Sequence, residues 1–451
     1  MQVFASKKSR CLIGIFIAAC ASTTMHAQTY RILTLGDSIT ATIQGNYNSS
    51  YQKKLRDDLS AAGVSFSFVG PNGSSPNQHG GFSGQGIDNV RDHLVSDLNA
   101  SFGSSPAPSG TVNVVCVMLG INNMNHGLGI SGSQATNFPP NNGSGTAQAI
   151  APQFANPSNG SHLRGLGLSW GSSPPYDVWV LDQVTQLLET ITTHGSKPRV
   201  IVGSVLPVGL GNPSYQANTN NCVERIKELN QMYIDTVSAQ AAKGRNIRFV
   251  ENFNSANRSY GVGTDWGTST RQTADWVHPD NNSPILATVG ANFATAVQNS
   301  SVTNVPLING GFEDTPSQNP NGWSSWANSP ANYSADFSQA YWPQSGSNNG
   351  AHWSGAGPYQ VYTYQALTLD NGNYRASTWA ASATTQTGCN FNVKDYGGAQ
   401  RNAAINTTWY SQFTINNIQV TNGALTIGFW SNANAANQWA VFDDVKLERV
   451  D

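Results

Sequence analysis

From Val112 to Leu119 every residue except Asn113 is apolar. A strand with one wet face alternates apolar and polar side chains. A strand that is apolar at successive positions must be covered on both faces. Such strands belong to parallel sheets flanked by helices, so this run sets the fold class of the chain around it. A second buried strand is expected over Tyr30-Arg31-Ile32-Leu33-Thr34-Leu35, and it runs straight into Gly36-Asp37-Ser38-Ile39. That placement delivers a serine hydroxyl at the carboxyl edge of the sheet, where open α/β sheets keep their ligand crevices.

The alternation of strand and helix continues through the first two thirds of the chain. Tyr51, Leu55, Leu59 and Ala62 share a helical face, with Gly63 as the expected C-cap. Phe66 to Val69 reads as a strand. Leu181, Val184, Leu187, Leu188 and Ile191 mark a helix, and Arg199 to Val202 the next strand. A long helix is expected over roughly 221–242, a strand over Ile247 to Val250, and a last helix carrying Val289, Phe293 and Val297. Repeated βα units imply a parallel sheet covered on both faces. Between Asn125 and Pro175 the period is lost in a Gly-, Ser-, Asn- and Pro-rich stretch, far longer than an ordinary connection. It leaves from the edge expected to hold Ser38. It either walls the site or is a solvated insertion.

Near residue 303 the texture changes. Short alternating segments follow, such as Tyr374 to Trp379 and Leu425 to Trp430, separated by turn signals at Asp370-Asn371-Gly372 and Thr421-Asn422-Gly423. That pattern predicts an all-β sandwich or jelly roll. Two domains suit a length of 451 residues.

Charged residues make up only 11%, against about 25% in an average globular protein. That composition is common among secreted proteins that handle polysaccharides. A net charge of −2 argues against nucleic acid or an anionic membrane surface as the main partner. Residues 1–27 read as an export signal: Lys7, Lys8 and Arg10, then an apolar core from Cys11 to Ala19 too short to span a bilayer, then cleavage after Ala27. The alternative is lipoprotein processing at Cys20, in Ile17-Ala18-Ala19-Cys20, which would hold the protein on a cell surface. Cleavage after Ala27 leaves Cys116, Cys222 and Cys389, an odd set that gives no disulfide framework. Cys116, inside an apolar strand, is expected to be a buried free thiol. No CxxC or HExxH pattern is present.

Ser38 as a nucleophile needs a base and an oxyanion hole. The candidate base is His278, in Asp275-Trp276-Val277-His278-Pro279. Asp275, three residues earlier, could reach its Nδ1 and fix the tautomer. Gly84 can offer a backbone N–H, Asn122 a side-chain amide just past the apolar strand, and Ser38 its own N–H. Asp37 is expected to hold its turn through backbone hydrogen bonds. His79, His126, His162 and His194 read as ordinary loop histidines. Each signal alone is a common turn or surface pair; the order and topology of all four give them weight.

With these residues the chain resembles the SGNH (GDSL-type) hydrolases. Their four blocks stand here as Gly36-Asp37-Ser38, Gly84, Gly120-Ile121-Asn122-Asn123 and Asp275-x-x-His278. The resemblance covers about residues 30–300. It extends to the carbohydrate esterases that deacetylate xylan, through Phe68-Val69-Gly70 and His79-Gly80-Gly81-Phe82-Ser83-Gly84. It implies a flavodoxin-like three-layer α/β/α hydrolase domain over 28–302, with Ser38 as nucleophile, His278 as base, Asp275 as its orienting acid, and Ser38, Gly84 and Asn122 in the oxyanion hole. No cofactor is implied for catalysis. Asn123 stands where the family usually has Asp, which bears on loop geometry and not on chemistry.

Residues 303–451 resemble jelly-roll carbohydrate-binding modules, through Asn309-Gly310-Gly311-Phe312-Glu313-Asp314 and Val441-Phe442-Asp443-Asp444-Val445. The stretches 393–398 and 420–429 are similar to modules attached to galactan-degrading enzymes. Related modules often hold a structural Ca²⁺, for which Glu313 and Asp443 would be the carboxylate ligands. Trp323 and Trp379 are expected in the core, and Trp326, Trp342, Trp353, Trp430 and Trp439 are the candidates for a sugar platform. The expected function is a secreted, monomeric serine esterase that removes O-acetyl groups from a plant cell-wall polysaccharide, xylan or galactan/pectin, through an acetyl-enzyme on Ser38. The alternatives are a lipase or thioesterase of the same family, or a non-catalytic carbohydrate-binding protein.

Overall fold

The computed structural model describes residues 28–41, 50–125, 176–206, 216–252 and 284–450. The first unit comprises β1 (Thr29–Gly36), α1 (Tyr51–Ala61), β2 (Ser65–Phe68), β3 (Gly80–Gly81), α2 (Ile87–Phe102), β4 (Thr111–Met118), α3 (Ile121–Asn125), α4 (Tyr176–Thr193), β5 (Arg199–Gly203), α5 (Gln216–Ala242), β6 (Ile247–Val250) and α6 (Pro284–Gln298). All six strands are parallel, in the order β2-β1-β4-β5-β6. The short β3 continues the β2 side, pairing with the last two residues of β1. Leaving out that fragment, the order is the flavodoxin-like one, as the resemblance implied. It reverses between β1 and β4.

The apolar run at 112–119 is the central strand, and Val114, Val115, Cys116 and Val117 are fully buried. Cys116 is a free thiol there, its pKa pushed up by burial. One helical layer pairs α1 with α6, where Gly290 lets the α1 backbone at Tyr51 approach and Tyr51 meets Phe293 at 5.6 Å. The other layer holds α2, α4 and α5. On the wet face of α1, Lys53–Asp57 and Lys54–Asp58 pair one turn apart at 2.5 Å, which supports the helix modestly.

From β7 (Thr303–Val305) onward the chain is antiparallel. It continues as β8 (Ser324–Ala327), β9 (Asp336–Gln339), β10 (Asn349–Trp353), β11 (Tyr359–Thr368), β12 (Gly372–Ser382), β13 (Gly388–Lys394), β14 (Arg401–Ala404), β15 (Ser411–Val420), β16 (Ala424–Ala433) and β17 (Trp439–Arg449). One sheet runs β15-β12-β17-β10-β9, with β7 on β17; the other runs β14-β13-β16-β11-β8. This is the all-β sandwich that the alternation predicts. Its inner faces meet through aromatics: Phe429 stacks on Phe442 at 3.9 Å, flanked by Phe391 and Phe312. Burying each such ring contributes roughly 1.5–3 kcal/mol. Trp323 joins this core on Phe312, as expected. Trp379 does not. A register shift between Ser377 and Trp379 carries the ring out of the inward alternation and leaves it half-buried.

Candidate active site

At Gly36 the chain leaves β1, and it turns through Asp37 so that Ala41 N–H closes on the Asp37 carbonyl at 2.8 Å. The buried Asp37 carboxylate holds both ends of this bend. It accepts from Ile39 N at 3.1 Å and from Gly120 N, past the end of β4, at 3.3 Å. Its role is that of a strut, as the sequence suggests. Gly36 and Gly81 face one another in register, and neither has room for a Cβ: the first would meet Thr40 and the Met118 carbonyl, the second the backbone of Ala41. The turn bearing Ser38 is thereby pressed between β3 and β4. Beneath it Thr40 Oγ1 meets the Tyr51 hydroxyl at 3.0 Å, and Gln52 donates to Thr34 Oγ1 at 2.5 Å. Burial raises the Tyr51 pKa, so the phenol stays neutral as a partner for Thr40.

The second block follows β3. Asn72 Nδ2 donates to the Gly81 carbonyl at 2.9 Å, and Gly81 N donates to His79 Nδ1 at 3.0 Å. Desolvation lowers the His79 pKa, which suits a neutral ring accepting at Nδ1. His79 thus braces the loop through Nδ1. Gly84 sits at φ +76°, a left-handed position that favours glycine, and turns the chain into α2. Asn122, at the start of α3, donates from Nδ2 to the Gln85 carbonyl at 2.8 Å. Gln85 is held in turn: its side chain meets His93 Nε2 at 3.0 Å, and His93 Nδ1 meets Asp97 at 2.5 Å. Asn123, in α3, reaches across to accept from Ile87 N at 2.8 Å, capping the start of α2 from another helix.

Ser38, Gly84 and Asn122 therefore follow the ends of three neighbouring parallel strands, β1, β3 and β4, at the point where the strand order reverses. Open α/β sheets bind ligands in the crevice outside that point. Asp275 and His278 lie outside the described residues, as do His126, His162 and residues 126–175. Of the other histidines, His194 packs against Ser196 and Asn99 at the far end of α4. Helix α2 and the Gln85–His93–Asp97 and Asn123 contacts have no counterpart among the motif residues. The spacing of Ile87, Val90, Leu94 and Leu98 could have revealed the helix; all four are buried.

In the β-sandwich, the carboxylates of Glu313 and Asp443 face one loop. Glu313 accepts from Ser347 N at 2.8 Å, and Asp443 from Gln344 N at 3.0 Å and Ser345 N at 3.2 Å. Asp443 is fully buried, and desolvation pushes its pKa up to about 6. Among the described residues no third His, Cys, Asp or Glu completes a metal cluster. The donor set suits a hard cation that takes its remaining oxygens from carbonyls, and such a cation would relieve the Asp443 charge. The five candidate tryptophans fall on two different sides of the sandwich, with Trp342 in the connection between β9 and β10. Trp326 and Trp430 pair at 5.8 Å on the β8-β11-β16 side. Trp342, Trp353 and Trp439 lie on the β9-β10-β17 side, where Trp342 meets Trp439 at 5.6 Å and Trp409 at 5.9 Å. Trp409 is 74% exposed and Tyr341 76%; the sequence reading named neither.

Residues 32–282 match the family model of GDSL-like lipase/acylhydrolases. In structure, the chain is similar to a family 3 carbohydrate esterase from Clostridium thermocellum (18% identity, 60% of this chain and 98% of that one, TM-score 0.36). It is similar to the acetyl xylan esterase AlAXEase (13% identity, 59% and 99%, TM-score 0.35). Its C-terminal part is similar to TmCBM61, solved with β-1,4-galactotriose (24% identity, 32% and 97%, TM-score 0.28). No curated protein matches the chain in sequence. The family match spans more than half of the sequence and contains Ser38, Gly84, Asn122, Asp275 and His278, and the chain belongs to the GDSL-like lipase/acylhydrolase family.

Proposed function

We propose that this acylhydrolase is a secreted serine esterase that removes O-acetyl groups from a plant cell-wall polysaccharide. The observation that carries the reading is the placement of Ser38, Gly84 and Asn122 past three adjacent strand ends at the topological switch point. Ser38 Oγ attacks the acetyl carbonyl as its proton passes to His278, with Asp275 orienting the ring. The N–H groups of Ser38 and Gly84 and the Asn122 amide take the negative charge of the tetrahedral oxygen. Collapse releases the sugar hydroxyl, protonated by His278, and leaves an acetyl-enzyme. Water, deprotonated by His278, then frees acetate and Ser38. The roles of His278 and Asp275 come from the motif resemblance.

In this reading the β-sandwich holds the enzyme on its polymer through the surface around Trp342, Trp353 and Trp439. Glu313 and Asp443 hold a structural Ca²⁺. Export follows cleavage after Ala27, and the protein acts as a monomer. Among the described residues no helix is long and apolar enough to cross a membrane. The test is acetate release from acetylated xylan and acetylated pectin by the mature protein, with Ser38→Ala as the blank. Release that vanishes in the variant supports the reading, and the faster polymer names the substrate. Hydrolysis confined to long-chain or thioesters would replace it with a lipase or thioesterase. A folded protein silent on small acetyl esters and on both polymers would replace it with a binding protein.

A further inference from the structure

Asn113 is the one polar residue in the apolar run of β4, and it lines a cavity of about 650 Å³ between the two units. That volume is within the roughly 300–1,000 Å³ usual for small-ligand sites. The hydrolase unit contributes the starts of β4 and β5, the end of α4 and the turn before β6, and the sandwich contributes Asp370, Asn371 and Arg449. Asn113 Nδ2 donates to the Ser196 carbonyl at 3.2 Å, which ties β4 to the turn before β5. The cavity sits at the amino end of the parallel sheet, and Ser38 lies past the other end.

Its charge is one-sided. Lys197, Arg199, Arg245 and Arg449 line it against a single carboxylate, Asp370, in a chain whose net charge is −2. The guanidinium groups are held in place. Buried Arg199 donates to Ser300 Oγ at 3.2 Å, and Arg449 donates to the Gly244 carbonyl at 2.5 Å. Buried Arg245 pairs with Glu189, outside the lining, at 3.3 Å, and its Nε, without a hydrogen bond, stands 3.8 Å from Asp370. Even with Glu189 counted, the cations outnumber the carboxylates. Burial first, and then the charge of Arg199, lower the pKa of Arg248 nearby, so the positive field reaches past the cavity wall. Lys197 is exposed and holds a left-handed backbone, φ +47°, where glycine or asparagine is easier to place.

The rest of the polar lining is uncharged, with the amides Asn113, Asn246 and Asn371 and the hydroxyls of Thr111 and Ser196. A lone inorganic ion would meet the cations and leave most of the volume and the amides unmatched. A neutral polyol would leave the cations without a counter-charge. A carboxylate fits the arginine fork, and hydroxyls beside it fit Asp370 and the amides.

We propose that this cavity binds a small hydroxy acid of sugar size, its carboxylate on Lys197 and the arginines and its hydroxyls on Asp370 and Asn371. The ligand then touches both units and tightens the joint between them by mass action. The site is independent of acyl transfer at Ser38 and of the tryptophan surfaces of the sandwich.

The test is calorimetric titration of the mature full-length protein with galacturonate, galactose and acetate at low salt. Galactose carries the hydroxyls without the carboxylate, and acetate the carboxylate without the hydroxyls. The expected result is one galacturonate per chain, bound at least tenfold more tightly than either control and more weakly as salt is raised. Lys197→Glu reverses an exposed charge and should weaken galacturonate at least tenfold, as should Arg449→Gln, while Trp353→Ala should leave it unchanged. Near-ultraviolet circular dichroism is the folding check, and Lys197→Glu carries the test if Arg449→Gln disturbs the joint. Trigalacturonate separates the two sources of such an acid: binding as tight as the monomer's names a chain end, and weaker binding a free acid, and the site stands in either case. Acetate as tight as galacturonate would mean an adventitious ion only. Galactose as tight as galacturonate would remove the reading of the cations. No galacturonate bound, or binding untouched by Lys197→Glu and Arg449→Gln, would overturn the site.

Discussion

Asp336 and His352 face each other across the β9–β10 pair, both fully buried, with Asp336 Oδ1 3.8 Å from His352 Nε2. The imidazole is satisfied by hydroxyls, Ser431 on Nδ1 and Thr363 on Nε2, each at 2.8 Å. The Asp336 carboxyl accepts from Ser325 at Oδ2, while Oδ1 has no hydrogen bond. Burial drives both groups towards neutrality: Asp336 is pushed up from 3.8 to about 7 and His352 down from 6.5 to about 3. The signs oppose. Asp336 contributes stability that is full below pH 3.8 and lost as pH rises through 7. His352 contributes stability that is full above pH 6.5 and lost as pH falls through 3. Between about pH 4 and 6.5 the two slopes offset. At pH 8 the native state still bears the buried-carboxyl penalty, about three pH units at about 1.4 kcal/mol each, or about 4 kcal/mol at most. Asp336→Asn removes it. The gain over wild type should be near zero at pH 4 and reach about 2–4 kcal/mol at pH 8, since the new amide must share the Ser325 hydroxyl. With an m-value of about 2 kcal/mol/M that is a shift of about 1–2 M urea. Tryptophan fluorescence follows it, because eight of the twelve tryptophans lie beyond residue 303. Below pH 6.5 the variant should lose stability as the His352 slope is exposed. A pH-independent difference, or a variant weaker than wild type at pH 8, would mean an ionised Asp336 paired with a charged imidazole, and the argument would fail.

Two further outcomes follow from the sites described. Under the proposed mechanism, in which its amide acts on the developing oxyanion, Asn122→Ala should lower kcat on a small acetyl ester about 10²–10³-fold with KM little changed; an equal rise in KM would place it in ground-state binding. Ca²⁺ at 100 times its Kd should stabilise the β-sandwich by about 2.7 kcal/mol, and Asp443→Asn should abolish the response. Because the raised Asp443 pKa disfavours the native state as pH rises through about 6, the rise in Tm should be larger at pH 8 than at pH 5; no response at either pH removes the cation.

What the sequence made legible is what local pattern encodes. A near-continuous apolar run announced β4 and a shorter, interrupted one β1, and the position of Ser38 just past β1 followed from the chain direction alone. Helix α2 was harder to see because its N-cap residue carries no side chain, although Asn89 accepts from the Gly86 N–H at 3.2 Å. Gly86 stands at the N-cap position, and the N–H of Ile87 is satisfied by Asn123, 36 residues away. The same holds for the polar pair in the sandwich, where Asp336 and His352 are 16 residues apart in sequence and adjacent only once β9 and β10 register. The tryptophans could not be sorted because strand alternation fixes the face only relative to a register. Trp326 and Trp353 are equally exposed and lie on different sheets. The bulge beside Trp379 moved a ring that alternation alone would have buried.

The seat of the β-sandwich on the hydrolase unit constrains how the two can cooperate. The joint is made at the turn before β6: Asp370 N donates to the Lys243 carbonyl at 2.5 Å, and Tyr374 OH and Arg449 donate to the Gly244 carbonyl at 3.1 and 2.5 Å. Arg245, buried, adds an ion pair to Asp370 at 3.8 Å, and Arg248 binds the Asn299 carbonyl at 2.6 Å in the connection between the units. All of these lie at the amino end of the parallel sheet. Ser38, Gly84 and Asn122 lie past its carboxyl end, and parallel strands cannot bring their two ends together. In the proposed reading, a sugar chain held by the sandwich therefore sits at the end of the parallel sheet opposite to Ser38. Under the proposed function, attachment at one end and hydrolysis at the other would act through local concentration, on neighbouring chains or distant stretches of the same chain, and specificity for the acyl group would be left to the residues around Ser38.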